Sequence, residues 1–473
     1  MHTATSTAGG ETAGGENNGE MERGDAKQDK PPSLTVRISP VPNLETTLAG
    51  GCLTAVIDSP PPDETTGGSL GKSPRFPQSP RSLAFRKRFF PAASHSDWNN
   101  WNWQLANSRQ TAAKLDYIFK LDPKERLAMT GAAGGLPTAI TPYYSSLIPP
   151  EIPDHPLRRS MIPTLAELSA GPGEREDPLG EEAQSPIPGL VHRYPDRVLF
   201  MATEYCAAYC RYCTRSRLVG QRKRLRFCRG HWERALEYIR TNPAIRDVIV
   251  SGGDPLTLPD EPLEWLLMNL RAIRHVEIIR LGSKTPAVLP MRITPALIKL
   301  LRRINPLWLS LHFTHPDELT PETAEACSRL ADAGFPLGSQ TVLLRGVNDE
   351  IQILRRLFTG LMRLRVRPYY LYQCDPIIGG GHFRAPVVKG LEIIQALRGH
   401  ISGYAIPHYV IDAPGGGGKI PLLPNCLEGR DGGELLLRNY RGNLYRYPDP
   451  ECNSGTGEVE SPSPGESFPD ITA

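Results

Sequence analysis

The chain has 473 residues, of which 39% are hydrophobic, and its formal net charge is +3 at pH 7. These values are typical of an ordinary soluble protein and show no global bias toward nucleic acid or membranes as partners. The sequence contains no run of 18 apolar residues and no secretory signal, so we expect no membrane segment. Nine cysteines, an odd number, do not predict a disulfide framework, and a reducing, cytoplasmic location is expected.

Both ends of the chain have the composition of disordered segments. Residues 1–92 are rich in Gly, Thr, Ser, Pro and Glu and lack apolar periodicity, and the tail at 449–473 is similar. Such segments cannot bury enough apolar surface to offset the entropy of ordering the chain. The basic and aromatic stretch at 81–90 is interpreted as a solvated linker, with docking on an acidic partner as the alternative.

Residues 93–190 are predicted to form a helical and loop-rich covering segment. A helix is expected to begin at Ser96 or Asp97, because either side chain could cap it, and to carry Trp98 and Trp101 on one side. The tryptophans of this region are expected to pack in the core.

Residues 191–403 alternate between short β-branched runs and amphipathic stretches, with about 30 residues per strand. This alternation is typical of repeated βαβ units, and six such units predict an α/β fold with a partial (β/α)6 barrel. In such barrels catalytic groups collect at the C-terminal ends of the strands. A C-terminal segment at 404–448 is expected to end in a hairpin around Gly442 and Asn443. The predicted strands lie at 198–202, 247–251, 276–281, 307–312, 339–344 and 368–372.

Three cysteines, Cys206, Cys210 and Cys213, follow the first barrel strand with CxxxCxxC spacing. Three thiolates in one short loop can hold a 4Fe-4S cluster and leave one iron open for a small molecule. The alternatives are a zinc site, which usually needs a closed set of four Cys or His ligands, or inert buried cysteines. No second pair of closely spaced cysteines accompanies the three, which favours the open cluster.

The aromatic Tyr212 between the last two cysteines completes a string that resembles the signature of radical S-adenosylmethionine (SAM) enzymes. The longer string at 206–217 is similar to the lysine 2,3-aminomutase family, and the resemblance extends over 97–448. It implies that SAM binds the open iron, and that a radical SAM partial barrel carries an N-terminal helical extension and a C-terminal segment with a lysine for pyridoxal 5'-phosphate (PLP).

The SAM site is expected from this resemblance at the ends of several strands. The string SGGDP after the second strand, which alone would be a simple turn, matches the segment that receives the methionine amino group, and its glycines permit close approach to a ligand. The aromatic ring of the cluster loop would lie beside the adenine. Two further candidates near strand ends, His312 and Gln340, could as isolated residues equally be core polar groups. The candidates are Ser251, Gly252, Gly253, Asp254, Tyr212, His312 and Gln340.

Four glycines precede Lys419 near the C-terminus. A phosphate-binding P-loop is excluded, because Ala413 stands where its first glycine belongs and Ile420 follows the lysine. A lysine in a partly desolvated pocket can instead hold an aldehyde as a Schiff base. The family resemblance implies that Lys419 carries PLP; a flexible loop with a surface lysine is the alternative.

Charged residues complete the expected site. By resemblance, Arg193 and Arg197 hold the PLP phosphate, although without this context they would be interpreted as members of surface salt bridges. Arg215 would pair with the substrate carboxylate, and Asp375 and Asp412 with a side-chain ammonium. A buried ammonium must be paired, so two acids favour a cationic amino acid.

The resemblance therefore implies an isomerase that moves the amino group of L-lysine from C2 to C3, using a 4Fe-4S cluster, SAM and PLP. Arginine, ornithine or glutamate as substrate remains an alternative, as does a short relative that makes β-lysine for modifying a translation factor. A non-catalytic Fe-S redox protein is the alternative from another class.

The sequence departs from the family in two places. Glu350 stands where family members often carry a zinc-binding cysteine, and the tail contains only Cys452, so we expect no zinc and leave a homo-oligomer open. The basic run at 221–229 is interpreted as solvated charge, or as a docking site for an acidic flavodoxin or ferredoxin that reduces the cluster. No nucleic acid or membrane partner is expected.

Overall fold

A nine-stranded sheet forms the centre of the computed structural model, which describes residues 76–108, 111–131, 136–220, 229–431 and 434–449. The strands follow one another in the sheet in chain order; β2 to β8 run parallel, and β1 and β9 add antiparallel at the two edges. The strands are β1 Leu190–Tyr194, β2 Arg197–Thr203, β3 Asp247–Gly252, β4 Ile278–Ser283, β5 Leu307–His312, β6 Leu337–Leu343, β7 Arg367–Gln373, β8 His408–Ala413 and β9 Gly418–Leu422.

The predicted partial barrel is confirmed, since all six predicted strands correspond to β2 through β7. The C-terminal segment extends this sheet, because its first two strands are β8 and β9. The edge strands β1 and β9 lie close together, and the Tyr194 hydroxyl accepts a 2.8 Å hydrogen bond from the backbone N–H of Lys419. We call this contact the seam of the sheet, because the sheet curves there and its two edges meet.

Helices connect the parallel strands and bury one face each against the sheet. In the helix between β6 and β7, for example, Leu354, Leu357, Phe358 and Leu361 recur at helical spacing and are all buried. The helices cover one face of the sheet, while side chains of the other face, such as Ile249, Arg280 and Tyr370, line an interior cavity. The helices of the barrel are α8 Arg229–Thr241, α9 Asp260–Arg271, α10 Thr285–Val288, α11 Pro295–Arg302, α12 Pro321–Asp332, α13 Ile351–Arg363 and α14 Val387–Leu397.

Seven further helices precede the barrel, within the part of the chain that the structure describes. They bear out the predicted helical covering segment, but they begin earlier than expected. They are α1 Pro80–Phe89, α2 His95–Trp98, α3 Trp101–Ala106, α4 Ala112–Phe119, α5 Pro123–Gly131, α6 Pro142–Ser145 and α7 Pro156–Met161.

The first of these helices corrects the prediction of disorder through residue 92. Helix α1 is capped by Ser79, whose backbone N–H and hydroxyl both donate to the buried Glu322 carboxylate, at 2.7 and 3.0 Å. Phe85 and Phe90 are buried and the Trp98 ring packs on Phe90. A local cluster of aromatic rings thus anchors a segment whose average composition is polar. The predicted disorder of residues 1–75 and 450–473 lies outside the described residues.

The predicted helix start is also corrected. Ser94 caps α2 by accepting from the backbone N–H of Asp97 at 3.1 Å, and the Asp97 carboxylate accepts from the Ser94 N–H at 2.9 Å. This reciprocal pair is a capping box, so Asp97 occupies the third helical position instead of the cap. Trp98 is fully buried and Trp101 is partly buried against the core, as expected.

A three-stranded antiparallel sheet ends the described chain, with β10 Leu427–Asp431, β11 Glu434–Arg438 and β12 Leu444–Pro448. The predicted hairpin is confirmed by the pairing of β11 with β12. Gly442 in its turn has a φ of +83°, which favours glycine. No helix among the described residues has the length and hydrophobicity needed to cross a membrane.

Candidate functional site

The cysteine loop lines a cavity of about 160 Å³ at the C-terminal end of β2. Cys206, Cys210 and Cys213 all face this cavity and form no disulfide. Burial and, less strongly, the neighbouring Cys210 raise the pKa of Cys213 to about 11. Three thiols confined together need a positively charged group to become thiolates, which an iron–sulfur cluster would provide.

The donor set fits an iron–sulfur cluster, because three cysteine thiols line one cavity and thiolates are the usual ligands of such clusters. Among the described residues, no three His, Cys, Asp or Glu side chains are grouped closely enough to hold a single metal ion.

The SGGDP string after β3 packs directly against the cysteine loop. A Cβ atom on Gly253 would lie 2.2 Å from the Tyr205 carbonyl oxygen, and one on Gly252 would lie 2.5 Å from the Thr203 carbonyl oxygen. The glycines are thus required for close approach of the cluster loop, whereas the sequence suggested approach of a ligand. They remain in the cavity wall, where a ligand could also reach them.

Asp254 lines the same cavity, but its carboxylate already has partners. It accepts hydrogen bonds from the Ser283 hydroxyl at 2.8 Å and from the backbone N–H of Lys284 at 2.8 Å. Burial raises the pKa of Asp254, and these hydrogen bonds oppose the shift. Asp254 therefore braces the loop after β4 in this structure.

A buried ion pair behind the cluster loop was missed by the sequence analysis. The Lys284 ammonium lies 2.6 Å from the Glu318 carboxylate, which also accepts from the Tyr144 hydroxyl at 2.7 Å. Lys284 lines the small cavity and donates to Thr314, which in turn contacts the Tyr212 hydroxyl at 2.7 Å. Lys284 lies in the string GSKTP at 282–286, to which the sequence analysis assigned no role.

A second cavity of about 370 Å³ adjoins the first. Tyr212, Arg215, Ser251 and His312 belong to the walls of both, while Gln340 lines the larger one. Burial lowers the pKa of His312 to about 4, assisted by Lys284 and Arg215. His312 is therefore neutral near pH 7, so it would contact a ligand through hydrogen bonds and not through charge.

Lys419 lies in the larger cavity, at the seam of the sheet. It stands directly opposite Asp412 on the neighbouring strand, and its ammonium lies 2.8 Å from one carboxylate oxygen. The Arg193 guanidinium, from β1, lies 3.0 Å from the other oxygen. Three residues to which the sequence assigned separate roles therefore form one charged cluster.

Two glycines before Lys419 allow its loop to pack closely against neighbouring side chains. Gly416 has a φ of +94°, and a Cβ atom there would lie 2.2 Å from the Gln184 amide nitrogen. Gly418 has a φ of +82°, and its Cβ would lie 2.9 Å from the Tyr194 hydroxyl. The glycine loop thus fits against the covering segment and β1, in addition to any ligand.

The remaining arginines of the larger cavity are paired with acids. Arg197 is half-exposed and lies 2.8 Å from its neighbour Asp196. Arg280, which the sequence analysis missed because it lies within a strand, lines the same wall and pairs with Asp247 at 2.9 Å. Both guanidinium groups are available to the cavity, and a phosphate could compete for them.

Arg215 is held by Glu181, a residue of the covering segment. The carboxylate accepts two hydrogen bonds from the guanidinium, at 2.7 and 3.1 Å, and Glu181 is almost fully buried. Nothing in the sequence pointed to Glu181, since it lies 34 residues before its partner. The pair fixes the direction in which Arg215 faces the cavity.

Asp375 faces Asp412 across the cavity and accepts a 2.6 Å hydrogen bond from the Thr214 hydroxyl. Burial and, less strongly, the charge of Asp412 raise the pKa of Asp375 to about 6, while this hydrogen bond opposes the rise. A carboxylate destabilised in this way favours a cationic ligand, which would restore its ionised form.

All of the residues predicted for the site line one or other of the two cavities. Their individual roles remain predictions. A cysteine loop after the first parallel strand of a partial barrel, beside a cavity able to take a small molecule, is the arrangement of a radical SAM enzyme. A family model described as the radical SAM superfamily matches residues 201–357.

The relatives define the family more narrowly. A model described as Lysine-2,3-aminomutase matches residues 394–465. An L-lysine 2,3-aminomutase from Clostridium subterminale is 49% identical, over 77% of this chain and 88% of that protein. One from Acetoanaerobium sticklandii is 47% identical, over 80% and 92%. The chain therefore belongs to the lysine 2,3-aminomutase family, and it is an isomerase of the radical SAM class.

Two other similarities concern the choice of substrate and the fold. A glutamate 2,3-aminomutase from Clostridioides difficile is 42% identical, over 75% of this chain and 84% of that protein. Among solved structures, a radical SAM methyltransferase from Sphaerobacter thermophilus has a TM-score of 0.34 and 18% identity, over 47% of this chain and 67% of that one. The second similarity is too low to support an argument, and the first leaves the substrate to be decided by the site.

Proposed function

We propose that the chain is a radical SAM and PLP-dependent 2,3-aminomutase that moves the amino group of L-lysine from C2 to C3 and makes β-lysine. The observation that carries the proposal is the shared wall of two cavities. The cysteine loop lines one and Lys419 the other, while Arg215 and His312 belong to both. A reactive group formed at the cluster must lie close to the substrate it attacks, and adjoining cavities allow this.

The cofactors would carry the difficult chemistry. When bound, the cluster and SAM supply a radical that removes hydrogen from C3, and PLP carries the amino group during its transfer. The groups proposed to hold them are Cys206, Cys210 and Cys213 for the cluster; Tyr212, Ser251, Gly252, Gly253, Asp254, His312 and Gln340 for SAM; and Lys419, Arg193 and Arg197 for PLP.

The protein's own part is orientation and charge. Arg215, directed by Glu181, would bind the substrate carboxylate, and the half-buried cavity would limit access of water to reactive species. The Lys419 amine, once free of its proton, would attach PLP. The neutral His312 would donate or accept hydrogen bonds at the boundary between the cavities.

Charge supports lysine as the substrate. Asp375 and Asp412 both line the larger cavity, and an anionic side chain such as that of glutamate would meet two carboxylates there. Like charges in a partly desolvated site are strongly unfavourable. Arginine and ornithine satisfy the same argument in kind, so the choice among cationic amino acids needs direct measurement.

Titration of the full chain with PLP tests the attachment site and separates the enzyme from a non-catalytic redox protein. The expected result is a visible absorbance band that Lys419→Ala abolishes, because the alanine variant has no amine to form the covalent bond. Cys374→Ala is a matched control, since Cys374 is buried close to Asp375 but does not line the cavities. An equal band in the wild type and Lys419→Ala would contradict the proposal.

The electron donor is proposed to be an acidic flavodoxin or ferredoxin, acting in a reducing, cytoplasmic setting. What supports the proposal is the basic run at 221–229, of which residues 221–228 lie outside the described residues. Complementary charge mainly accelerates encounter with a partner, so this interaction should weaken as salt increases.

A further inference from the structure

Both oxygens of the Asp412 carboxylate are already occupied. One lies 2.8 Å from the Lys419 ammonium and the other lies 3.0 Å from the Arg193 guanidinium. The Asp412 and Arg193 side chains are about nine-tenths buried, whereas Lys419 is 30% exposed. Each oxygen of the carboxylate therefore already has a cationic partner in this structure.

The proposed function assigns these same groups to different ligands, and the present inference rests on it. Lys419 and Arg193 are proposed to bind the aldehyde and the phosphate of PLP, while Asp412 is proposed to bind the substrate ammonium. While Asp412 bonds to both cations, its charge is shared between them and attracts a substrate ammonium less strongly. Lys419 must also leave its ion pair before its nitrogen can bond to the aldehyde.

From this geometry we propose that Asp412 is a positioning residue that holds Lys419 and Arg193 until PLP binds, and that PLP binding releases Asp412 to receive the substrate ammonium. PLP would thereby prepare the cation site as well as occupy its own. The same carboxylate serves in turn as partner of two cofactor ligands and as partner of the substrate.

The chemistry of attachment requires the release. The Lys419 ammonium first loses a proton to solvent, after which its nitrogen adds to the aldehyde carbon. A carbon–nitrogen double bond forms, and the aldehyde oxygen leaves as water. Lys419 would then be joined to an anionic cofactor and would no longer present a free ammonium to Asp412, and the PLP phosphate would draw Arg193 toward its own negative charge. Both attractions on Asp412 therefore weaken when PLP binds.

The other charged groups near Asp412 fit this sequence. Asp375 and Arg215 interact with it electrostatically across the cavity, and neither is hydrogen-bonded to it. After release, Asp412 and Asp375 would be two neighbouring carboxylates whose nearest remaining cation, Arg215, is already paired with Glu181. Such a pair is costly and is relieved by an incoming ammonium. By reciprocity, the substrate cation should also favour the PLP-bound form.

Asp412→Asn tests the proposal through PLP affinity, measured by titrating the PLP-free full chain and following the visible band. The substitution removes the charge that restrains Lys419 and Arg193, so PLP should bind roughly fivefold more tightly, the scale of a partly exposed ion pair. Asp375→Asn is the matched control. It removes an equal charge from the same cavity without breaking either bond, and its PLP affinity should stay within about twofold of wild type.

A second readout follows Lys419 without PLP. The rate at which acetic anhydride modifies Lys419 in the full chain, measured by peptide mass spectrometry, should rise several-fold in Asp412→Asn and not in Asp375→Asn. Asp412→Glu retains the carboxylate and should return both readouts toward wild type. Circular dichroism verifies that each variant is folded. If Asp412→Asn is not, Asp412→Ser, which also removes the charge, replaces it in both measurements with the same expected results.

The outcomes separate this inference from the proposed function. Weaker or unchanged PLP binding in Asp412→Asn, with no faster acetylation, would overturn the inference, because Asp412 would then support Lys419 instead of restraining it. An equal gain in Asp375→Asn would also overturn it and point to general repulsion of the phosphate. A band that survives Lys419→Ala would instead overturn the proposed attachment of PLP.

Discussion

Lowering the pH should weaken the binding of lysine through Asp375. Burial, supported by Asp412, raises the pKa of Asp375 to about 6, while the substrate ammonium remains protonated throughout the acidic and neutral range. Protonation of Asp375 removes half of the proposed cation site. The ionised fraction of such a group is about 97% at pH 7.5 and about 24% at pH 5.5, so the KM for lysine should rise roughly fourfold.

The assay is anaerobic steady-state turnover of the reconstituted protein at pH 5.5 to 7.5, with KM and kcat determined separately. Asp375→Asn provides the control, because it carries the same cluster but no titrating group at this position. Its KM should be higher than that of wild type at pH 7.5 and should vary little with pH. A wild-type KM that is constant over this range, or one that falls as the pH is lowered, would refute the reasoning.

Two further predictions concern regions outside the cavities. Phe85→Ala should lower the free energy of unfolding by about 3 kcal/mol, because Phe85 is buried in helix α1, which was expected to be disordered. Thermal unfolding measures this change, and Lys87→Ala, on the exposed side of the same helix, should leave the free energy of unfolding nearly unchanged. Charge reversal at residues 222–224 should slow turnover driven by flavodoxin and leave turnover driven by dithionite intact; equal effects on both would exclude this run as the docking site.

The barrel and the candidate site residues could be predicted because their signals are local. Each parallel strand is a short apolar run, and Cys206, Cys210 and Cys213 fall within eight residues. The match to the family then supplied Lys419 and the charged residues. All of these positions line one or other of the two cavities described above.

The remainder depends on contacts between distant parts of the chain. Arg193 and Asp412 are 219 residues apart, and they meet only because the curved sheet brings β1 at one edge close to β8 and β9 at the other. Glu181 and Arg215 also meet through the fold of the chain. Glu181 lies in a loop of the covering segment, where the sequence shows no helical or strand periodicity to predict its position. Helix α1 was missed because an average over 92 residues hides a few aromatic side chains that bury together.

The central claim is tested most directly by offering lysine, arginine, ornithine and glutamate separately to the anaerobic, reconstituted protein with SAM, PLP and dithionite. Mass spectrometry after derivatisation identifies any β-amino isomer. The proposed function predicts β-lysine from lysine, with no isomer from glutamate, because Asp375 and Asp412 both line the cavity. An isomer formed only from glutamate would contradict the charge argument, and cleavage of SAM without any isomer would contradict the proposed reaction.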